Sequence, residues 1–426
     1  MQLKGNQALK EAKRKEKEKV LERFLRFVRI PTQSDETNPE MPSTPEQTTF
    51  AQSLAAELRA IGVPDVFLET NGILYAKLPG TIDAPSIGFC AHYDTVDVGL
   101  SPRVTPQILT YRGEDLVLNH ETGTIFRAKD HPELADYIGE EVVFSDATSV
   151  LGADDKAGVA AIVTMLETLI AENRLHGDVY AAFFPDEEIG LRGGKNVDLT
   201  RFCPTYAYTV DGGAIGEVEY ETFNAASAII TVTGVSVHPG SAKGVLVNPI
   251  LIAADIINAF DRADTPENSE GYEGYFWVAD ISGNPTRAQV TVTIRDFDLR
   301  KFEARKAAVR QIVAEVAHRH PRAQVTCDIT DTYANIASFM TDKKSVNIVL
   351  EALQLLQIKA RCVPVRGGTD GSAMSQRGLV TPNIFTGGLN PHAPFECLPV
   401  RGLEASLATL LTMVEVVAFG ANRPKD

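Results

Sequence analysis

Cysteine is scarce in this chain. Five residues (Cys90, Cys203, Cys327, Cys362 and Cys397) are scattered among 426, with no Cys-x-x-Cys pair. That argues against a disulfide framework and points to a reducing compartment. Long apolar runs are lacking too. The best stretches, 159–171 and 403–418, are interrupted by Glu167, Glu404 and Glu415, and none approaches a membrane span. The amino terminus has no apolar segment of the secretory kind; its first nineteen residues carry seven Lys/Arg and three Glu. Positive charge is in deficit overall, with 41 Lys+Arg against 56 Asp+Glu and a formal net charge of −15. Such a balance disfavours a nucleic-acid groove or an anionic membrane surface, since both need a concentrated positive face. The expectation is a soluble cytoplasmic protein with carboxylates to offer to cations.

What the chain does have is an ordinary globular composition, 44% hydrophobic and 23% charged, at a length that suggests two or three domains. The basic arm over 1–19 reads as a solvated extension running into an amphipathic helix, where Val20, Leu21, Phe24, Leu25 and Val28 recur at helical spacing. Thr44 followed by Pro45 reads as a helix start, with Leu54, Leu58 and Ile61 on its apolar face. Apolar strands are expected over 73–78, 86–91 and 179–184, with a helix over 156–172. Strand–helix alternation of this kind predicts an α/β layer sheet buried on both faces. Between 222 and 332 the texture changes. Strands over 228–233 and 289–297 and helices over 249–260 and 301–318 predict a small α+β domain inserted into the larger one. A helix over 344–357, a strand over 360–365 and a closing helix over 403–419 return to the first texture.

Five segments carry polar residues that could do chemistry. His92-x-Asp94 ends a buried strand, where the period of two puts both side chains on one face. A carboxylate so placed can fix the imidazole tautomer for a metal. Gly152-Ala153-Asp154-Asp155-Lys156-Ala157-Gly158 leads into an apolar helix, and its glycines suggest close backbone approach. Pro185-Asp186-Glu187-Glu188 follows a strand, and adjacent glutamates allow one metal ligand and one general base. Thr209-Val210-Asp211-Gly212-Gly213 is another strand ending in an acid, and Asn390-Pro391-His392 follows Gly387-Gly388. Each has a plainer reading: a polar pair, a helix cap, a solvated loop. Together they place His and carboxylate groups at the carboxyl ends of apolar strands, where open α/β sheets bind ligands. Two histidines with Asp and Glu suit zinc, cobalt or manganese, although the spacing alone leaves metal site and solvated strand ends equally open.

In order and in residue type these motifs resemble the two-zinc aminoacylase/carboxypeptidase G superfamily, and within it most the tripeptide aminopeptidases. Supporting stretches are His238-Pro239-Gly240-x-Ala242-Lys243-Gly244, Glu270-Gly271-Tyr272-Glu273-Gly274, Ile294-Arg295-Asp296-Phe297-Asp298 and Arg366-Gly367-Gly368-Thr369-Asp370-Gly371. The resemblance implies a metallopeptidase catalytic domain over 1–221 and 333–426, with a mixed sheet flanked by helices, and an inserted α+β lid domain over 222–332. It implies two Zn2+ per subunit (Co2+ or Mn2+ being alternatives), with His92 and Asp211 on one ion, Glu188 and His392 on the other, and Asp154 bridging. A cis Asp154–Asp155 bond is part of the same pattern. Asp94 would orient His92, Glu187 would act as general base on a zinc-bridged hydroxide, and His238 would stabilise the oxyanion. For the carboxylate of a short peptide, mainly a tripeptide, Arg295, Lys243, Asn248 and Arg366 are the candidates, Arg295 first because a guanidinium grips a carboxylate in a bidentate way. The plainer reading of Arg295 is an ion pair with Asp296 or Asp298. The alternative activity is a dipeptidase or N-acyl amino-acid deacylase, and the chain would be a monomer or homodimer without nucleic-acid or membrane partners. One departure stands out: Phe395 occupies a position where relatives often have a further histidine.

Overall fold

A helix over 16–28 opens the described part of the chain, which runs from residue 16 to residue 420 of a computed structural model. Its Val20, Phe24 and Val28 are fully buried, as the helical spacing predicts. The first fifteen residues of the basic arm lie outside the described residues. Helix Pro45–Ala60 begins after Thr44. The threonine hydroxyl, however, donates to the Gln33 carbonyl instead of capping the helix.

The chain divides into two compact units: residues up to 220 with 340–363 and from 369 onward, and residues 221–339 with 364–368. The larger unit is built on an eight-stranded sheet in the order Asp65–Leu68, Leu74–Leu78, Val179–Phe184, Ile87–His92, Tyr206–Gly212, Asn383–Phe385, Glu217–Thr222, Arg361–Val365. Ile87–His92 runs parallel to both of its neighbours, and Asn383–Phe385 runs parallel to Tyr206–Gly212. Their carboxyl ends therefore share one edge. Alternate residues feed two cores: Phe89, Ala91, Ala181 and Phe183 pack on one face, and Cys90, Ala182 and Phe184 on the other. This is the doubly covered sheet that continuous apolar strands require. Cys90 is a core residue, with Sγ donating to the Tyr208 carbonyl.

Helix Ala153–Ala171 packs on Ile87–His92, on Tyr206–Gly212 and on the closing helix Val400–Phe419. A Cβ on Gly158 would sit 2.0 Å from the Val210 carbonyl oxygen, so only glycine permits that approach. The closing helix corrects one expectation: it is long and apolar enough to cross a bilayer by length and composition. Leu403, Leu407, Leu410 and Val414 nevertheless lie in the main core, with Glu404 and Glu415 less buried.

Residues 98–147, to which no element was assigned from sequence, form a layer of their own. Gln107–Thr110 and Glu141–Phe144 make a three-stranded sheet with Cys397–Pro399, and Leu116–Asn119 pairs with Thr124–Phe126. Tyr111, Leu118, Phe126, Leu134, Phe144 and Cys397 give this layer a separate apolar core.

The smaller unit has a four-stranded antiparallel sheet, Tyr275–Gly283, Arg287–Asp296, Asn224–Thr233 and Gln324–Tyr333. Helices Pro249–Asn258 and Leu299–Arg319 cover one face, burying Ala228, Ile230, Val290 and Val292. The two edge strands escaped sequence reading because one is exposed and broken by a bulge near Val278, and the other alternates with Thr and Asp. Residues 364–368 group here because Phe223 donates its N–H to the Gly367 carbonyl and Gly368 packs on Tyr333.

Candidate metal centre

At the carboxyl edge of the larger sheet, side chains from strand ends, a helix start and a loop meet at one point. His92 closes its strand, almost fully buried, with Nδ1 3.1 Å from the Asp94 carbonyl oxygen and 3.4 Å from Asp94 Oδ1. Its Nε2 lies 2.9 Å from Asp154 Oδ1 and 3.6 Å from Asp211 Oδ1. His392 Nε2 lies 3.1 Å from Asp154 Oδ2 and 3.0 Å from Glu188 Oε1. Asp154 thus offers one oxygen to each histidine. That is the disposition a bridging carboxylate needs.

The backbone around Asp154 departs from the helix it begins: Gly152 has φ +72°, Asp154 and Asp155 are non-helical, and the Asp154–Asp155 bond is cis, as the resemblance implies. Asp155, fully buried, accepts N–H groups from His92 (3.3 Å) and Gly158 (3.1 Å). Asp94 does double duty. Besides facing His92, it accepts the N–H of Glu187 (3.0 Å) and of Glu188 (3.2 Å), fixing the glutamate pair against the imidazole. Asp186, at φ +55°, is fully buried and accepts hydrogen bonds from Ser43 and Gln47, so it secures the turn rather than reaching the cluster.

The charges are unbalanced. Among the described residues no lysine or arginine pairs with Asp154, Asp211, Glu187 or Glu188. Burial, reinforced by Asp154, pushes Asp211 up to about 6 and Glu188 up to about 7. Burial, with Asp211, Asp370 and Glu188 adding to it, holds Glu187 well above the usual carboxylate range. Hydrogen bonding to Asp154 and Glu188 pushes His392 up to about 10. Burial opposes ionisation of Asp154, but the two imidazoles outweigh it and keep that carboxylate below its usual range. Carboxylates stacked in a buried site without basic side chains, beside two inward-facing imidazoles, are the donor set that divalent cations neutralise. His92, Asp154 and Glu188 place ligand atoms within 4.8 Å of one another, and so do His92, Asp155 and Asp211. The residues fit a two-ion site.

Sequence reasoning missed two residues that build this site. Glu396, buried, accepts the N–H of Gly152 (2.7 Å) and of Asp154 (3.0 Å) and so holds the bridging carboxylate's backbone. Asp370, buried, accepts the Gly194 N–H. Glu396 sits in no polar run, so no local pattern distinguishes it from a surface acid, whereas Asp370 stands in the polar stretch 366–371, where no role was read for it.

The other predicted residues belong to the smaller unit. His238 is exposed, with Nδ1 accepting the Gly240 N–H at 3.0 Å. Asn248 accepts the Ile250 N–H as the cap of helix Pro249–Asn258, and Lys243 is exposed. Arg366 donates to the carbonyls of Gly271 and Glu273 and to Ser269 Oγ, which ties the 269–273 loop. Arg295 does not make the expected ion pair: Asp296 pairs with Arg305, and Asp298 caps helix Leu299–Arg319. Its guanidinium lies over the Tyr333 ring at 4.8 Å, with a buried Nη1 that has no hydrogen-bond partner.

Comparison with known proteins agrees with this architecture. Residues 220–323 match the model of a peptidase dimerisation domain, and 137–252 match that of the M42 glutamyl aminopeptidases. A peptidase T-like protein of Yersinia pestis is 49% identical over 391 residues, 91% of this chain and 95% of its own length. A peptidase T of Geobacillus sp. (strain WCH70) is 42% identical over 405 residues, 94% of this chain and 98% of its own. The crystal structure of aminopeptidase PepT from Bacillus cereus has a TM-score of 0.73 at 22% identity, covering 94% of this chain and 99% of that one. Fold and site together define a hydrolytic metallopeptidase, with a ligand-bearing α/β unit and an inserted domain of the dimerisation type. Within that class, the chain belongs to the peptidase T family.

Proposed function

We propose that this protein is a two-metal aminopeptidase that releases the N-terminal residue from tripeptides in the cytoplasm, with zinc as its metal and a pair of chains as its working form. The observation that carries the reading is Asp154 facing His92 with one oxygen and His392 with the other, flanked by Asp211 and Glu188. Two divalent ions, when bound, would supply a water acidified toward neutrality and a Lewis acid for the peptide carbonyl. The chain's own groups do the rest. Asp94 fixes the His92 ring through Nδ1 and the Glu187 backbone through its N–H. Glu187, whose buried carboxyl binds a proton readily, takes the proton of the attacking water and passes it to the leaving amine nitrogen.

His238 is assigned the oxyanion. Because its Nδ1 accepts the Gly240 N–H, the ring carries its proton on Nε2, the tautomer that can donate to an oxygen. Arg295 is assigned the peptide's C-terminal carboxylate, since its unpartnered Nη1 and its stacking on Tyr333 leave a rigid donor for an anion. Lys243 and Asn248 are secondary candidates, and Arg366, already tied to its loop, is the weakest. Five free cysteines fit the reducing compartment, and the match to a dimerisation domain supports pairing through the smaller unit.

The test is a panel of tripeptides, dipeptides and N-acetylated amino acids given to the zinc-loaded protein. Release of the N-terminal residue from tripeptides well ahead of the others supports the reading. Preference for dipeptides or N-acetylated substrates makes it a dipeptidase or deacylase instead.

A further inference from the structure

His392 differs from the other ligands in its support. Its side chain is 46% exposed, against 1% for His92, and it rises from a loop, not a strand end. That loop is closed at its base by paired backbone hydrogen bonds between Leu389 and Cys397. Within it Asn390 has φ +58° and His392 has φ +62°, on either side of Pro391. A left-handed histidine is held there only if its surroundings determine the loop, because that conformation is disfavoured for residues with a Cβ.

The determining contacts come from the 98–147 layer. Asn390 Nδ2 donates to Glu133 Oε1 at 2.7 Å, and His131 Nδ1 lies 3.0 Å from the same oxygen. The His131 ring stacks on Phe126, centroids 4.3 Å apart and 18° between planes, and lies 5.5 Å from Phe395 of the same loop. The position where relatives often carry a histidine thus holds an aromatic ring that docks the loop. We propose that Glu133, backed by His131, is a positioning residue for the His392 imidazole, acting through the side-chain amide of Asn390. The inference rests on the reading of His392 as a metal ligand. It gives the layer around Glu133 a purpose: setting a ligand that rises from a loop outside the main sheet. Outer groups of this kind commonly change metal affinity by about 10–100-fold when removed.

The experiment is calorimetric titration of Zn2+ into the chelated full chain. It compares wild type, Glu133→Ala, Glu133→Gln, Asn390→Gly and the double variant Glu133→Ala/Asn390→Gly. Wild type should take up two ions. Glu133→Ala should keep one at unchanged affinity and weaken the other by about 10–100-fold. Glu133→Gln, which can still accept the Asn390 N–H, should restore affinity to within a few-fold. Asn390→Gly keeps the left-handed backbone accessible while removing the amide, so it should match Glu133→Ala, and the double variant should lose no more than either single one. Unchanged affinity for both ions, with only a lowered thermal midpoint, would overturn the proposal and leave these residues as packing. Equal weakening of both ions would also overturn it. Should Glu133→Ala not fold, Asn390→Gly decides by the same criterion. A wild type that binds fewer than two ions would overturn the metal reading itself, and the inference with it.

Discussion

Glu187 and Arg295 show how differently two polar side chains can be placed for chemistry. Glu187 is fixed by its backbone: Asp94 accepts its N–H, and burial keeps its carboxyl avid for a proton. Glu187→Gln should therefore lower kcat by about 100–10,000-fold while metal content by mass analysis stays at two ions. Loss of metal in that variant would recast Glu187 as a ligand. Arg295 is fixed by its ring contact with Tyr333. Arg295→Ala should raise KM for a tripeptide roughly ten- to hundredfold, the worth of a charged hydrogen bond, and leave the corresponding tripeptide amide little affected. An equal loss on acid and amide would contradict the assignment. At this scale the sequence was most legible. His92, Asp154, Glu187, Glu188, Asp211 and His392 all lie in short polar runs beside glycine or at apolar strand ends, where their chemistry stands out. Glu396 and Glu133 were not legible, since each becomes meaningful only through a backbone N–H or an amide more than 200 residues away.

Among elements, the helix Ala153–Ala171 and the strand Tyr206–Gly212 approach closely at Gly158 behind the site. Gly158→Ala would place a methyl 2.0 Å from the Val210 oxygen, closer than van der Waals contact allows. The helix or the strand must shift, at about 3 kcal/mol or more of stability, read as a lowered denaturation midpoint. A midpoint within experimental error of wild type would show that the helix seats elsewhere. The same elements explain what periodicity could and could not reveal. Strand Val179–Phe184 and the helices Ala153–Ala171 and Val400–Phe419 are long or continuously apolar and were readable. Gln107–Thr110, Leu116–Asn119 and Thr124–Phe126 are three or four residues each and alternate weakly, so their layer has a core only once Cys397 and Phe144 are brought to it.

For the whole molecule, buried acids make stability depend on pH. Glu219, buried on strand Glu217–Thr222, is pushed up to about 8 by burial and then by Glu217, with Gly213 N–H and Asn383 Nδ2 each 3.4 Å from its oxygens. Its folded value lies above its ordinary value of 4.5, so its contribution is fully present below pH 4.5 and is lost as pH rises through 8. Glu219→Gln keeps an acceptor without the titration. The thermal midpoint of the variant relative to wild type should therefore climb between pH 5 and pH 9, whereas parallel profiles would show that the carboxyl is not desolvated. The net charge of −15 has a similar lesson. It was legible as a bar to nucleic acid, but only the converging strand ends show which few of the acids form a cation site.

On the proposed reading, two ions held around Asp154 drive aminopeptidase turnover on tripeptides. Its most direct test is to chelate the protein exhaustively and return Zn2+ stepwise while following release of the N-terminal residue from a tripeptide. Without metal no turnover is expected, and the rate should reach its plateau at two ions per chain. Turnover that survives chelation, or a plateau reached at a single ion, would contradict the reading.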